Sequence, residues 1–463
     1  MPTIPLVNKL SATSEQILNA IRNSATAQYR DYVPVASISQ NNIREIGTVI
    51  MNYPTLQNEF LSALVNRIGR VIVTSKMYSN PWAKFKRGIM EYGESMEEIF
   101  VNLAKPFQYD PAVAESKVFA REIPDVRAAF HFLNYQKFYK STIEQEQLRQ
   151  AFLSWQGITD LIAKIVDAMY TSANYDEFNV MKYLVGRHIL NGELKPVQIS
   201  AITAANMKTN IGKIKGVSNN MEFMSTKYNL AGVANYSLKD SQYIIVNAEF
   251  DAVMDVEVLA SAFNMDKADF MGHRVLVDSF GSLDTTRLSE LFASDDSYTA
   301  FTDGEVAALD AIPAIIVDEN WFMIYDNMLE FTEQYNAQGL YWNYFLHVWK
   351  TFSISPFANA CVFVPGEPSI TSVTVTPDAA VVMPGQSVTL DAAVVASNFA
   401  SQAVVWSATI SGSAADPALV SISPLGVVSV ASDITAGTVI TVTATSVVDS
   451  TKSDSATVTV YSE

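Results

Sequence analysis

The chain has 463 residues, more than one compact domain usually holds, so we expect two or three folding units. Apolar residues make up 49 % of it and charged residues 17 %, which excludes an intrinsically disordered chain. The formal net charge of −17 argues against dense binding to nucleic-acid phosphates, because such binding needs clustered lysine and arginine.

Cys361 is the only cysteine, which excludes an intrachain disulfide and a thiolate metal cluster. Residues 1–16 contain Lys9 but no apolar stretch behind it, so we expect no secretory signal. The chain has no run of about 18 apolar residues, so we expect no transmembrane helix. We therefore expect the protein to fold in the cytoplasm.

The first predicted element is a short helix over Thr13–Asn23. Thr13 and Gln16 can form a capping box, and one face carries Ile17, Leu18 and Ile21. An irregular stretch over Tyr29–Ile43 follows. The next helix is predicted over Thr55–Ile68, with Gly69 ending it and a strand over Val71–Tyr78 after it.

Residues 81–142 alternate strand-like pieces with prolines and scattered aromatic residues, which predicts an extended arm that packs on something else. The densest basic patch of the chain, Lys84, Lys86 and Arg87, lies at its start. This patch suits either nucleic acid or an acidic neighbouring subunit, and we favour the subunit.

The longest helix is predicted over Leu148–Leu190, ended by Asn191 and Gly192 as a C-cap. Residues 193–240 are polar and predict a mobile loop region.

Strands and helices alternate over residues 242–330. The predicted strands are Tyr243–Val246 and Arg274–Asp278, and Asp255 is predicted to cap a helix between them. A hairpin is predicted from Ala314–Val317 and Trp321–Tyr325 around the turn Asp318, Glu319 and Asn320. Residues 339–364 are aromatic and strand-like.

The composition changes at Pro365–Pro368. After it, short alternating strands rich in Val, Thr, Ser and Ala recur at 372–377, 387–395, 404–409, 427–432, 439–446 and 456–461. This spacing predicts a small β-sandwich with Trp406 in its core.

Motifs of known chemistry are absent: there is no P-loop, dinucleotide fingerprint, HExxH or GxSxG. The histidines lie far apart and are interpreted as structural; they are His131, His188, His273 and His347.

Three acidic doublets are interpreted as solvated turns rather than acid–base pairs; they are Glu97–Glu98, Asp295–Asp296 and Asp318–Glu319. The carboxylates of Asp251 and Asp255 suggest a cation site or, more simply, a helix N-terminus. We predict no catalytic, cofactor-binding or metal-binding residue.

A dense aromatic run could form a ligand cage, although its alternation favours core and interface positions. It consists of Tyr341, Trp342, Tyr344, Phe345, Trp349 and Phe352.

Before residue 365 the chain carries a series of short phrases in a fixed order. They are NAIRNS at 19–24, YVP at 32–34, LVNRIG at 64–69, NPWAKFKRG at 80–88, EEI at 97–99, QYD at 108–110, VFAREIPDV at 118–126 with Phe130 and His131, FYKSTI at 138–143, AFLSW at 151–155, DVEVLASAFNM at 255–265, VDENWFMIYDN at 317–327, GLYWNYFLHVW at 339–349 and FANACVFV at 357–364. In this order the phrases resemble the major head protein of phi-29-like short-tailed phages, which has an HK-97-like capsid fold. The tail resembles a bacterial group-2 immunoglobulin-like domain through TSVTVTP, VVWSAT, VSISPLGVVSV and ITVTATS. Residues 193–240 and 281–311 show no resemblance.

The resemblance implies an α+β, HK-97-like shell domain over residues 1–364, followed by an all-β immunoglobulin-like sandwich. Within the shell domain it implies an arm over 1–70, an extended loop over 71–143, a spine helix over 148–190 and an axial domain over about 195–335. Residues 339–364 return to the peripheral domain, and a linker over 365–369 leads to the immunoglobulin-like domain over 370–463.

The implied function is a structural major capsid protein, without cofactor or catalysis, that assembles as hexamers and pentamers into an icosahedral or elongated head. The implied partners are a scaffolding protein, a portal and enclosed double-stranded DNA bound without sequence specificity, with no membrane. The implied location is the virion capsid, assembled in the host cytoplasm. A surface adhesin with an immunoglobulin-like domain is the alternative, and the expected lack of an export signal disfavours it.

Overall fold

The computed structural model describes residues 13–71, 78–90, 95–107, 109, 121–261, 273–293, 295 and 298–461. The chain forms two compact units. Unit 1 comprises Met1–Met96, His131–Met181 and Ile324–Phe352. Unit 2 comprises Glu97–Phe130, Lys182–Met323 and Ser353–Glu463.

Unit 1 begins with a group of short helices. They are α1 Ser14–Ser24, α2 Ala27–Tyr32, α3 Ile43–Asn52, α4 Pro54–Val71 and, later in the chain, α5 Gln145–Ala151. The predicted capping box of α1 is confirmed, because Thr13 Oγ1 accepts from the Gln16 N–H and Gln16 Oε1 accepts from the Thr13 N–H. The predicted end at Gly69 is wrong, since α4 continues to Val71. Most of the strand predicted at 71–78 lies outside the described residues.

A four-stranded sheet of order β1-β9-β10-β4 completes unit 1. Its strands are β1 Lys86–Ile89, β4 Tyr135–Glu144, β9 Phe322–Asn336 and β10 Tyr341–Ile354. β1 runs parallel to β9, and β4 pairs antiparallel with β10 over its whole length. Along β10, alternate side chains from Trp342 to Val348 are buried, as the period of a strand with one covered face requires.

The longest helix, α6, spans Trp155–Leu190 and contributes to both units. Its predicted start at Leu148 is wrong, because Leu148 belongs to the separate helix α5 and residues 152–154 break the helix between the two. Its predicted C-cap is confirmed: Gly192 has φ +68°, and the N–H groups of Gly192 and Glu193 bond the carbonyls of Ile189 and His188.

Unit 2 contains a mixed five-stranded sheet of order β5-β11-β8-β6-β7. The strands are β5 Lys195–Gln198, β6 Gln242–Asn247, β7 Arg274–Val277, β8 Ala314–Asp318 and β11 Ala360–Val364, and the helices are α7 Ala204–Asn220, α8 Ala248–Ser261, α9 Thr285–Leu291 and α10 Asp303–Asp310. Helices α7 and α8 bury Met207, Ile214 and Phe250 in one core with this sheet.

Three predictions in unit 2 are wrong. Residues 193–240 contain β5 and the helix α7 rather than a loop region. Asp255 lies inside α8, which begins at Ala248, so it does not cap that helix. The turn after β8 exists, because the Trp321 N–H bonds Asp318 O at 2.9 Å, but β8 and β9 belong to different sheets and form no hairpin.

Unit 2 also holds a two-stranded sheet, β2 Met96–Val101 with β3 Val126–His131. This pair is called the β2–β3 ribbon below.

The C-terminal region is all β and has its own core. Its strands are β12 Ser369–Thr376, β13 Ala379–Val382, β14 Ser387–Thr389, β15 Asp391–Ser397, β16 Val404–Ile410, β17 Ser413–Ala414, β18 Val420–Ile422, β19 Val427–Val430, β20 Val439–Ser446 and β21 Ser453–Val460. Leu390, Val428 and Ile440 are fully buried there. Trp406, which was predicted in the core, is only partly buried and packs against the buried residues of this core.

Candidate assembly surface

The β2–β3 ribbon and its flanks expose many large apolar side chains on the described part of unit 2. They are Ile99, Val101, Leu103, Phe107, Tyr109, Ile123, Val126 and Phe130, with Phe107 69 % exposed. A soluble monomer rarely leaves so many apolar groups together in water, and such patches mark sites of protein association. We call this set the ribbon patch.

The base of the ribbon is fastened by polar contacts. Asp125 accepts hydrogen bonds from Arg127 Nη2 and Asn102 Nδ2, both at 3.1 Å. The bonds from Arg127 and Asn102 lower the pKa of Asp125. Arg127 Nη1 also donates to the carbonyl of Ala231.

The other side of β2 packs inward. Phe100 stacks on Phe357 with ring centroids 5.5 Å apart, and Ser355 Oγ donates to Glu98 Oε1 at 2.8 Å. Alternation along β2 therefore turns one set of side chains to the protein and leaves Ile99 and Val101 outward. The ribbon patch is thus carried on an anchored strand pair.

The predicted basic patch is divided by the structure. Lys86 points into unit 1, where its Nζ lies 2.5 Å from Asp326 Oδ2 and 3.2 Å from Glu177 Oε2. Both ion pairs of Lys86 are therefore internal, and the contact of the basic patch with a neighbouring subunit stays a prediction. Lys84 and Arg87 are exposed, with Lys84 Nζ 5.7 Å from the centroid of the Phe85 ring.

Lys86 belongs to a cluster of four charges in unit 1. Lys350 Nζ pairs with Glu177 and lies 2.7 Å from Asp326 Oδ1. Burial disfavours the charged form of Asp326, but the ammonium groups of Lys350 and Lys86 outweigh it and lower the pKa of that carboxyl. The sequence could not indicate this cluster, because its members come from four distant segments.

The prediction that the aromatic run contributes to the core is confirmed for three of its members, and its place at an interface stays a prediction. Trp342, Tyr344 and Phe352 are buried, whereas Tyr341 and Phe345 are partly exposed. The three buried residues therefore belong to the core of unit 1, and the two partly exposed residues lie at the boundary between this core and the surface.

The candidate acid, base and metal residues are dispersed. His347 Nε2 lies 3.3 Å from Thr332 Oγ1, and His188 pairs with Glu193. Asp251 pairs with Arg274 at 2.7 Å.

Burial raises the pKa of Asp318, whose Oδ1 accepts a hydrogen bond from the Asn320 N–H in the turn after β8. Asp296 lies outside the described residues. Within the described ranges, no group of three His, Cys, Asp or Glu side chains could hold a metal ion.

Every helix in the described part of the chain is too short or too polar to cross a membrane.

Comparison with known proteins identifies the family. The family model of the Phi29-like phage major capsid protein matches residues 18–364. The major capsid protein of Bacillus phage B103 is 39 % identical over 400 residues, covering 85 % of this chain and 83 % of that protein. The major capsid protein of Bacillus phage PZA is 36 % identical over 399 residues, with the same coverage. Residues 1–364 are less than 85 % of the chain, so both alignments extend into the C-terminal region.

The fold agrees with this assignment. A chain from the structure of the head fiber and inner core protein gp22 of native bacteriophage P68 superposes with a TM-score of 0.50 at 16 % identity, covering 64 % of this chain and 86 % of that chain. The front of the chain therefore has the HK-97-like fold of phage capsid proteins, and the adhesin alternative is not favoured. The chain belongs to the Phi29-like phage major capsid protein family and is a structural component of a phage head shell.

Proposed function

We propose that this chain builds the head shell by inserting the ribbon patch against neighbouring copies, as hexamers and pentamers, without catalysis. The observation that carries the proposal is the exposed apolar set on an anchored strand pair. Shell formation needs such a surface on every copy, because many weak contacts act together once the shell closes. The same proposal includes assembly with a scaffolding protein and a portal in the host cytoplasm, around double-stranded DNA.

The test replaces two outward residues of the patch, Leu103→Ser with Phe107→Ser. Both side chains are exposed, so the subunit should stay folded and soluble while shell formation is lost. Val381→Ser with Val395→Ser removes two exposed apolar groups from the C-terminal region and serves as the control. Electron microscopy of the assembled material decides, and normal shells from the Leu103/Phe107 variant would contradict the proposal.

A deletion of residues 81–125 is a poorer test, although the predicted arm suggests it. That segment contains Trp82, which is fully buried in unit 1, and Lys86 with its internal ion pairs. The deletion would unfold unit 1, and the loss of shells would then have no single cause.

We also propose that residues 370–463, after a linker over 365–369, form an immunoglobulin-like domain on the outer surface of the shell, where it contacts adjacent capsomers or the host. Short alternating strands around one core support the domain type. A shell interior filled with DNA leaves little room for an extra domain, and residues 370–463 carry seven carboxylates against the single lysine Lys452.

A shorter relative supports an accessory role for part of this chain. The major capsid protein of Streptococcus phage Cp-1 is 27 % identical over 358 residues, and the alignment covers 92 % of that protein but 74 % of this chain. The alignment therefore leaves about a quarter of this chain unmatched, a share that would accommodate residues 365–463.

Truncation after Val364 distinguishes the two proposed roles of the C-terminal domain, called the tail of the chain here: contact between capsomers and contact with the host. If the tail links capsomers, truncated particles should assemble but lose resistance to heat, whereas a host-contact role predicts stable particles with poor adsorption. Protease treatment and amine labelling of intact particles test the location. A tail that stays uncleaved at 365–369 and unlabelled at Lys452 would contradict an outer position.

A further inference from the structure

Helix α7 carries a positive face that the shell-building role does not use. Its inward stripe is buried and consists of Met207, Asn210, Ile214, Val217 and Met221. The opposite face is exposed and consists of Lys208, Thr209, Gly212, Lys213, Lys215, Asn219 and Asn220. We call it the lysine face. The helix contains no aspartate or glutamate.

The charge of the lysine face contrasts with that of the chain. Residues 199–239 hold five lysines and one carboxylate, Glu222, although the whole chain has a net charge of −17. Within the described residues, no carboxylate forms an ion pair with Lys208 or Lys213. Burial lowers the pKa of Lys239 at the edge of this region; Glu222 opposes that shift, and nearby Lys215 adds to it. The lysines therefore create a local positive potential in an acidic protein.

Gly212 lies in the middle of this face, and the half-exposed Gly216 lies next to it, one turn further along the helix. At about 3.6 residues per turn, they lie between Lys208 and Lys215 on one side and Lys213 on the other. A Cβ atom at either glycine would meet no atom within 4 Å, and neither glycine has a positive φ. Glycine destabilises a helix interior relative to alanine. Packing within the described subunit gives no reason for the two glycines, whereas close approach of a partner to the helix backbone does.

The composition of the face selects between two kinds of partner. Protein interfaces are depleted of lysine and centre on aromatic or aliphatic side chains, and this face offers neither between its lysines. Phosphate contacts need ammonium, amide and hydroxyl donors, which Lys208, Lys213, Asn219, Asn220 and Thr209 supply. We propose that the lysine face of α7 binds the phosphate backbone of double-stranded DNA without reading its sequence. This inference rests on the proposal that the shell encloses double-stranded DNA.

The first test measures binding of a fluorescent DNA duplex to unassembled protein across a series of salt concentrations. Each phosphate contact contributes about 0.9 to the slope of log K against log salt. Lys208→Gln with Lys213→Gln should weaken binding and reduce the slope by about two, that is, about 0.9 for each lysine removed. Lys140→Gln with Lys195→Gln removes the same charge elsewhere and should change the slope much less. Equal slopes for the two double variants would overturn the proposal.

The second test uses Gly212→Ala with Gly216→Ala. The added methyl groups enter open space, so the Tm of the protein should rise, since alanine favours helix. DNA affinity should fall several-fold, because the methyl groups hold a phosphate away from the helix. A rise in Tm with unchanged DNA affinity would overturn a role of the glycines in close approach.

Particle analysis separates this inference from the function on which it rests. Shells of the Lys208/Lys213 variant should assemble normally but retain less DNA than wild type at raised temperature. Failure of the variant to assemble, with an unchanged salt slope, would mean that the face binds protein and would overturn the inference alone. Wild-type particles without DNA would contradict the enclosing role itself.

Discussion

Lys350 and Asp326 form an ion pair in the four-stranded sheet, with the lysine Nζ 2.7 Å from Oδ1 of the aspartate. Glu177 on helix α6 pairs with the same ammonium group, and its side chain is only 2 % exposed. With Lys86, the group contains two cations and two anions, so no net charge is buried. Removing one member leaves an uncompensated charge in a poorly solvated position.

Glu177→Gln should therefore lower the free energy of unfolding by about 3–5 kcal/mol, because two lysines lose their shared carboxylate. Glu146→Gln is the matched control. Its partner Arg149 lies 3.6 Å away on the surface, with both side chains more than 60 % exposed, so the change should be about 0–0.5 kcal/mol. Urea unfolding of both variants measures the difference, and similar midpoints would show that the cluster contributes little.

Acid should destabilise unit 1 through Asp326. The pKa of this carboxyl is lowered from 3.8, so its contribution is fully present above pH 3.8 and is lost as the pH falls through the lower, folded pKa. The free energy of unfolding should decrease below about pH 4 in the wild type, and less steeply in Asp326→Asn. Denaturant unfolding at a series of pH values gives both slopes. Parallel curves would assign the acid sensitivity to other groups.

Gly192 should be needed both for its backbone angle and for the space that it leaves. It has φ +68°, and a Cβ atom there would lie 2.6 Å from the carbonyl oxygen of Ala400 in the C-terminal region. Gly232 has φ +63° but nothing within 4 Å, so Gly232→Ala isolates the cost of the angle, about 1–2 kcal/mol. Gly192→Ala should cost more and should make Pro365–Pro368 more sensitive to protease. Equal effects of the two substitutions would contradict the packing of residue 192 against Ala400.

Residues 370–463 should fold alone as a β protein, since their core is their own. Because Trp406 is only partly buried, Trp406→Ala should cost about 1–3 kcal/mol, below the roughly 3–5 kcal/mol typical of a buried tryptophan. Leu390→Ala, at a fully buried position, should cost about 2–5 kcal/mol. Circular dichroism of the isolated fragment and its urea unfolding test both points. An unfolded fragment would contradict its independence.

Local signals in the sequence predicted elements whose determinants are themselves local. The capping box at Thr13, the C-cap at Gly192 and the alternation of β10 all depend on neighbouring residues, and each is present in the structure. The strands of the C-terminal region were predictable for the same reason, because short alternating runs between turns repeat along it.

Elements that depend on distant packing were missed. Helix α3 contains Ile43, Ile46, Val49, Ile50 and Gly47, which favour helix poorly. It forms because Ile43, Ile46 and Ile50 are buried, and Phe152 packs so closely that a Cβ at residue 47 would lie 2.5 Å from it. Likewise, the turn at Asp318 was recognised, but no local feature shows that β8 pairs with β6 and β11 instead of β9.

The candidate surface was predictable in outline only. Scattered aromatic residues between prolines indicated an extended arm, and the ribbon patch lies in it. Its anchor through Asp125, Arg127 and Ala231 joins segments about a hundred residues apart, which no local pattern reveals. The charge of Lys86 was visible in the sequence, whereas its internal partners were not.

The lone thiol of the chain has a practical consequence. Cys361 is fully buried in β11, between strands β5 and β8, and burial raises the pKa of its thiol to about 12. A thiolate is the reactive form, so the folded subunit should ignore thiol reagents until its central sheet opens. Each covalent label attached to a particle would therefore correspond to one subunit whose central sheet has opened. The extent of labelling at Cys361 would thus measure how many subunits of a shell have been damaged.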